Sequence, residues 1–229
     1  MAQKSLSTRF FSKKAGNPFA LSLAWVFIIQ GIHTLSYLQG MPLPPYLLKG
    51  GHHQFLTNIS YVITWVYFIS SALYHLVGGN SLGHIKEYLS AIALSAEFIV
   101  VSVYWSMRLF VPTLIVQKGQ IVPLDLDLLI HVMPFASLVI DYFFFCERWN
   151  IGASTGLAVM LGFAFAYWKW LEHLIGLDGV YPYPFLNVPV PQRAVIFAVV
   201  GLCAYGAFLL FKYIHPASTK SSRVHKKIN

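Results

Sequence analysis

Six long apolar runs alternate with short breaks rich in glycine and proline. The runs cover residues 18–38, 55–77, 87–109, 128–146, 151–174 and 194–214. Each is close to the roughly 20 apolar residues that a helix needs to cross hydrocarbon. The runs are continuous rather than alternating, which favours helices over a β-barrel. The breaks fall at residues 40–45, 78–79, 112–123 and 178–191, where Gly and Pro punctuate the pattern. The pattern predicts an all-α fold, an integral membrane bundle of six transmembrane helices over residues 18–214. A basic segment, residues 1–17, precedes it and a basic tail, residues 215–229, follows it. The spans leave no room for a second domain, and no internal repeat is evident.

Composition agrees with the pattern. Of 229 residues, 57% are hydrophobic and only 10% charged, and the mean hydropathy is +0.62. Soluble domains carry about 25% charged residues. Soluble-enzyme, nucleic-acid-binding and disordered classes are therefore excluded. The net charge of +8 does not point to nucleic acid, because the basic residues crowd the termini. With six spans, the side shared by both termini carries eleven Lys and Arg and the opposite side four, with Lys169 inside a span. That imbalance predicts cytosolic termini. Cys146 and Cys203 both sit in apolar runs and read as packing residues, not as a disulfide or a metal cluster.

The tail ends Lys226-Lys227-Ile228-Asn229, similar to a dilysine signal read by a retrieval coat. The expected location is thus the endoplasmic reticulum membrane. The basic, Ser-rich N-terminus is also compatible with a mitochondrial presequence, which makes a mitochondrial membrane the lesser alternative. Asn58-Ile59-Ser60 fits the glycosylation pattern, but it lies at the membrane surface and reads as unused.

Ionisable groups in hydrocarbon are costly and mark functional positions. From span boundaries and directions, His33, Thr57, His131, Glu172 and His173 converge on one level, just under the non-cytosolic surface. Asp141 follows His131 by ten residues, about 15 Å along a helix, and is too far away to hydrogen-bond it. An alcohol beside an imidazole suggests nucleophilic acyl transfer. A threonine at a helix start is also a common cap, and a membrane histidine often only bonds a neighbouring helix. The residues alone leave both readings open.

Three ordered blocks carry a resemblance. Gly50-Gly51 followed by Phe55-Leu56-Thr57 is the first. His131, with Pro134-Phe135 and then Asp141, is the second. Trp170-Leu171-Glu172-His173, then Gly176 and Tyr183-Pro184-Phe185-Leu186, is the third. Together they resemble the androgen-induced-protein (FAR-17a-like) family of multipass membrane threonine hydrolases. The resemblance implies cleavage of fatty acid esters of hydroxy fatty acids, with no cofactor and no metal. It places Thr57 at the family nucleophile and His131 at the essential histidine. Asn58, Glu172 and His173 are the expected supporting or substrate-binding residues. Asn58 would be an oxyanion donor, His173 a donor to a substrate carboxylate or the oxyanion, and Glu172 a third catalytic group or a partner of Lys169. The expected partners are a lipid substrate, membrane lipids and the retrieval coat. Pro134 follows His131 more closely than in the family pattern, and the loop before Tyr183 is longer.

Two other classes fit the same bundle. A non-catalytic lipid-binding or transport protein would keep its function in Thr57→Ala. A haem-b electron carrier would need paired histidines at matched depth, which the outer group of His33, His131 and His173 offers.

Overall fold

In the computed structural model, the described residues are 14–111 and 123–216, and they form helices without strands. The segment before residue 14 and the tail from residue 217, with its dilysine, lie outside them. Helix α1 spans Pro18–Gly40. It starts where Asn17 caps it, the side-chain oxygen accepting the N–H groups of Phe19 at 2.9 Å and Ala20 at 3.4 Å. Pro18 costs nothing in the first turn, where an N–H has no partner anyway. After two short 3₁₀ turns at Pro45–Leu47 and Gly51–Gln54, α2 runs over Leu56–Val77.

Helix α3, Asn80–Phe110, begins seven residues before the predicted run. The reversal from α2 needs only Gly78 and Gly79, at φ 75° and 100°. Residues with a Cβ avoid that backbone region, so two glycines replace the expected longer loop.

The fourth run is not one helix. Leu124–His131 (α4) and Met133–Ile140 (α5) meet at a 45° bend, and α5 continues into a π turn over Asp141–Phe145. Pro134 explains the break, since it lacks an N–H and its ring crowds the preceding turn. Helix α6 covers Ala153–Ile175 and α7 covers Val190–Ile214.

By length and apolarity, α1, α2, α3 and α7 can cross a membrane, and the bent α4–α5 pair makes a fifth candidate span. Helix α6 is long enough at 23 residues, but Lys169, Glu172 and its aromatic hydroxyl and indole groups dilute its apolar character. Six apolar runs therefore yield four or five candidate spans among the described residues.

Helix α2 packs between α1 and α3, α6 lies along α7, and α3 crosses α5 and α7. The central core joins Phe27, Tyr67, Phe68, Leu94 and Phe208. At Gly201 the helices approach closely, and an added Cβ would stand 3.0 Å from Leu161 and 3.1 Å from Ala164. Two polar clusters mark opposite ends. Away from Thr57, buried Lys86 lies 3.5 Å from Asp141 and 3.3 Å from His75, and the Tyr67 hydroxyl donates to Asp141. Asp141 thus ties α2, α3 and α5 together. The other cluster surrounds Thr57.

Candidate functional site

Thr57 sits in the first turn of α2. Two cavities meet at it. One is a chamber of about 540 Å³ whose walls include Thr57, Asn58, His52, Tyr104 and His131, with Tyr183 and Asn187 from the loop before α7. The other is an apolar slot of about 110 Å³ between α2, α3, α6 and α7. Thr57, Tyr104, Met107 and Tyr183 line both. Thr57 and His131, distant in sequence, therefore share one chamber.

His131 is held on three sides. Its Nδ1 lies 3.0 Å from Asp127 Oδ1, at i, i+4 spacing on α4, and 3.2 Å from the Asp127 carbonyl. The Tyr104 ring stacks on the imidazole at a centroid distance of 3.4 Å and an interplanar angle of 6°. Asp127 is fully buried. It accepts the Tyr104 hydroxyl and ion-pairs with Arg108 through its other oxygen. Arg108 also donates to the Tyr104 hydroxyl at 3.2 Å and lies 5.7 Å from the Trp105 ring. A carboxylate at Nδ1 fixes the ring proton there and leaves Nε2 as the basic nitrogen. A carboxylate–imidazole arrangement of this kind can orient a general base.

Sequence reasoning missed Asp127 because the predicted run began at residue 128 and left it in a loop. The helix begins at Leu124, which brings Asp127 one turn before His131. Spacing of i, i+4 was the available signal.

Tyr183 approaches from the other side. Its hydroxyl accepts the Leu56 N–H at 3.0 Å. Burial raises this phenol above its ordinary value, while the Leu56 N–H and the Thr57 hydroxyl beside it pull the other way. It stays protonated and can donate. The loop that presents it is clamped by Arg193 of α7, which is buried. Arg193 donates to the carbonyls of Leu186 at 3.0 Å, Val188 at 2.9 Å and Leu177 at 3.3 Å, and to the Tyr181 hydroxyl at 2.7 Å.

The other expected site residues lie as follows. Asn58 lines the chamber, but its amide donates to the His52 carbonyl at 2.9 Å. Glu172 bonds Lys169 at 2.5 Å, away from His131. His173 is exposed, with the Trp170 ring 6.0 Å away. His33 is exposed on α1. Of the five groups expected at one level, the structure brings Thr57 and His131 into one chamber and leaves His33 and His173 on outer faces. Among the described residues, no group of three or more His, Cys, Asp or Glu could hold a metal ion.

Fold and site define a multipass helical membrane protein with a histidine-bearing chamber of mixed lining at one end of the bundle. The chain belongs to the FAR-17a/AIG1-like protein family, whose sequence model matches residues 19–215. It is similar to the UPF0641 membrane protein YHR140W of Saccharomyces cerevisiae, 29% identical over 223 residues, 89% of this chain and 93% of that protein. It is also similar to the UPF0641 membrane protein PJ4664.05 of Schizosaccharomyces pombe, 29% identical over 175 residues, 75% of this chain and 78% of that protein. No solved structure matches.

Proposed function

We propose that this protein is a membrane-embedded carboxylic ester hydrolase that cleaves fatty acid esters of hydroxy fatty acids. The observation that carries this reading is the shared chamber. Thr57 and a His131 already oriented by Asp127 face the same space.

His131 Nε2 takes the Thr57 hydroxyl proton as Oγ attacks the ester carbonyl. The carbonyl–alkoxy bond breaks, the hydroxy fatty acid leaves with that proton, and an acyl-threonine remains. Water, deprotonated by the same nitrogen, then releases the fatty acid and restores Thr57. The Tyr183 hydroxyl, in the same chamber lining as Thr57, is the donor assigned to the developing oxyanion, and such donors contribute heavily to acyl transfer. His52 and Asn187 give the chamber polar walls suited to the carboxylate of a hydroxy acid.

The full topology in this reading is six spans, counting α6 and treating α4–α5 as one, with both termini cytosolic and the site near the opposite surface. Residence in the endoplasmic reticulum, through coat recognition of the dilysine tail, completes it. Protease or tag accessibility of the tail tests the topology.

The chemistry is tested by labelling the detergent-purified chain with a fluorophosphonate, beside Thr57→Ala and His131→Ala, with ester hydrolysis in parallel. Labelling and turnover in the parent, lost in both folded variants, support the reading. Turnover that survives Thr57→Ala overturns it.

A further inference from the structure

We propose that the apolar slot beside Thr57 holds a single unbranched alkyl chain of the acyl group, and that Ala96 and Ala204 at its inner end set the longest chain accepted. The inference rests on Thr57 as the nucleophile and adds which arm of the ester goes where.

The first observation is position. Thr57 lines two unlike cavities, so each can receive a different part of the molecule around the reacting carbonyl. The second is lining. The slot has no charged wall among the described residues, and its polar atoms belong to Thr57, Tyr104, Tyr167 and Tyr183. Tyr167 and Tyr183 are both tied to the residues that lead into α2, through the Gln54 carbonyl and the Leu56 N–H. Polar groups therefore gather at the mouth. Below them the walls are aliphatic and aromatic, such as Val100, Val103, Phe197 and Val200. Glu97, next to Ala96, does not line the slot; its carboxyl accepts the Thr64 hydroxyl of α2 at 3.3 Å.

The third observation is shape. On α3 the lining runs from Met107 to Ala96, about 16 Å at 1.5 Å per residue. On α7 it runs from Ile196 to Ala204, about 12 Å on the same rise. The slot is much the smaller of the two cavities, about 110 Å³ against about 540 Å³, and its length along two helices with apolar walls suits an alkyl chain rather than a polar group. At the end farthest along α3 and α7 from Met107 and Ile196, the lining residues are the small Ala96 and Ala204, with Met160 of α6.

The order of chemical steps decides which arm enters. After the alcohol leaves, water must reach the acyl-threonine. The chamber has a mixed lining and holds the groups that can bind that water, His52, Asn58, His131 and Asn187, so the acyl chain that stays covalently attached is assigned to the other cavity. The almost wholly apolar slot holds it, and the departing hydroxy acid vacates the chamber.

The test uses the full chain in detergent, a series of p-nitrophenyl esters from acetate to palmitate, and the variants Ala96→Leu, Ala204→Leu and Met160→Ala. Thermal melts report folding. For the two leucine variants, the expected result is a fall of at least tenfold in the ratio of long-chain to acetate turnover. Met160→Ala raises that ratio and decides the matter if the leucine variants fail to fold. A parallel readout needs no catalysis. Free fatty acids of increasing length stabilise the parent up to a limit, and Ala204→Leu shortens that limit. Unchanged ratios and limits in well-folded variants overturn the proposal. So does a shift only in the alcohol-chain preference of acetate esters, which would put the leaving group in the slot. If the parent cleaves no ester and the fatty-acid limit still shifts, the hydrolase reading and the acyl assignment fall while the slot stands as a chain-binding site.

Discussion

Asp127→Asn isolates the contribution of the carboxylate behind His131. The substitution keeps the side-chain shape, and Asp127 does not line either cavity that meets at Thr57. Its neighbours decide how an amide would sit. Arg108 faces one oxygen, while the Tyr104 hydroxyl and His131 Nδ1 share the other. Arg108 is charged and has only donors, so the amide oxygen turns to it. The amide N–H₂ then faces Nδ1 and donates to it. The imidazole proton moves to Nε2, and the nitrogen proposed as the base loses its free lone pair. In hydrolases that orient a histidine in this way, a wrong tautomer costs about 10⁴-fold in kcat, or roughly 5 kcal/mol of transition-state stabilisation. KM changes little. Stability falls by only about 1–2 kcal/mol, because the Arg108 side chain is partly exposed and solvent screens its lost partner. The assay is kcat and KM on a p-nitrophenyl ester, with the rate of fluorophosphonate labelling and a thermal melt alongside. A folded Asp127→Asn chain that keeps the parent's kcat and labelling rate refutes the positioning argument. Tyr104→Phe should act on the same unit more weakly, removing the hydroxyl's bonds to Asp127 and from Arg108 at about 1 kcal/mol each.

Arg193→Ala removes the clamp on the loop carrying Tyr183; hydrogen bonds to a charged group are worth about 1.5–3 kcal/mol each, so amide exchange across residues 177–188 should accelerate strongly, and unchanged exchange would contradict the clamp. Gly78→Ala makes only an ordinary van der Waals contact, with Ala15 Cβ 3.8 Å away, so its effect is chiefly backbone strain at φ 75°, ψ −160°. A cost of about 1–3 kcal/mol should lower the melting midpoint, and an unshifted midpoint would refute the strain. Glu172→Gln breaks a pair whose Lys169 side chain is 54% exposed; such pairs contribute about 0–1 kcal/mol, so both the melt and turnover should stay close to the parent's. A large loss of turnover with an unchanged melt would bring Glu172 into the machinery.

Most helices are legible in the sequence because continuous apolar runs and Gly or Pro breaks are local signals. Helices α1 and α2 match their runs to within two residues at each end. Start positions are harder to read. Asn80 to Lys86 look like a loop on polarity, yet they extend α3, because two glycines alone reverse the chain. The same error of a few residues hid Asp127, since a run counted from Leu128 leaves it outside the helix. Pro134 was visible, but an apolar count carries straight across it, whereas the backbone bends by 45°. Thr57 and His131 stand out because polar groups in apolar runs are conspicuous. Tyr104 does not, since one tyrosine in an aromatic-rich span looks like packing. Its stacking on His131 depends on how α3 meets α4, which no single-helix pattern records.

The bend itself links fold to chemistry. A straight fourth helix would carry its backbone hydrogen bonds past residue 131 without interruption. Pro134 has no N–H to give the Ile130 carbonyl, so the helix breaks at Val132, immediately after His131. The first half, α4, is then free to tilt against the end of α3, where Tyr104 and Arg108 meet Asp127. Thr57 stands at the opposite wall, in a first helical turn whose leading N–H groups have no intrahelical acceptor. Tyr183 satisfies one of them, at Leu56. Both halves of the site thus sit at helix ends, where unpaired backbone groups and polar side chains can serve one another. A nucleophile in mid-span would have to bury its hydrogen-bonding partners in hydrocarbon. A broken helix on one wall and a helix start on the other give a lipid-facing bundle a chamber with polar groups in it without that cost.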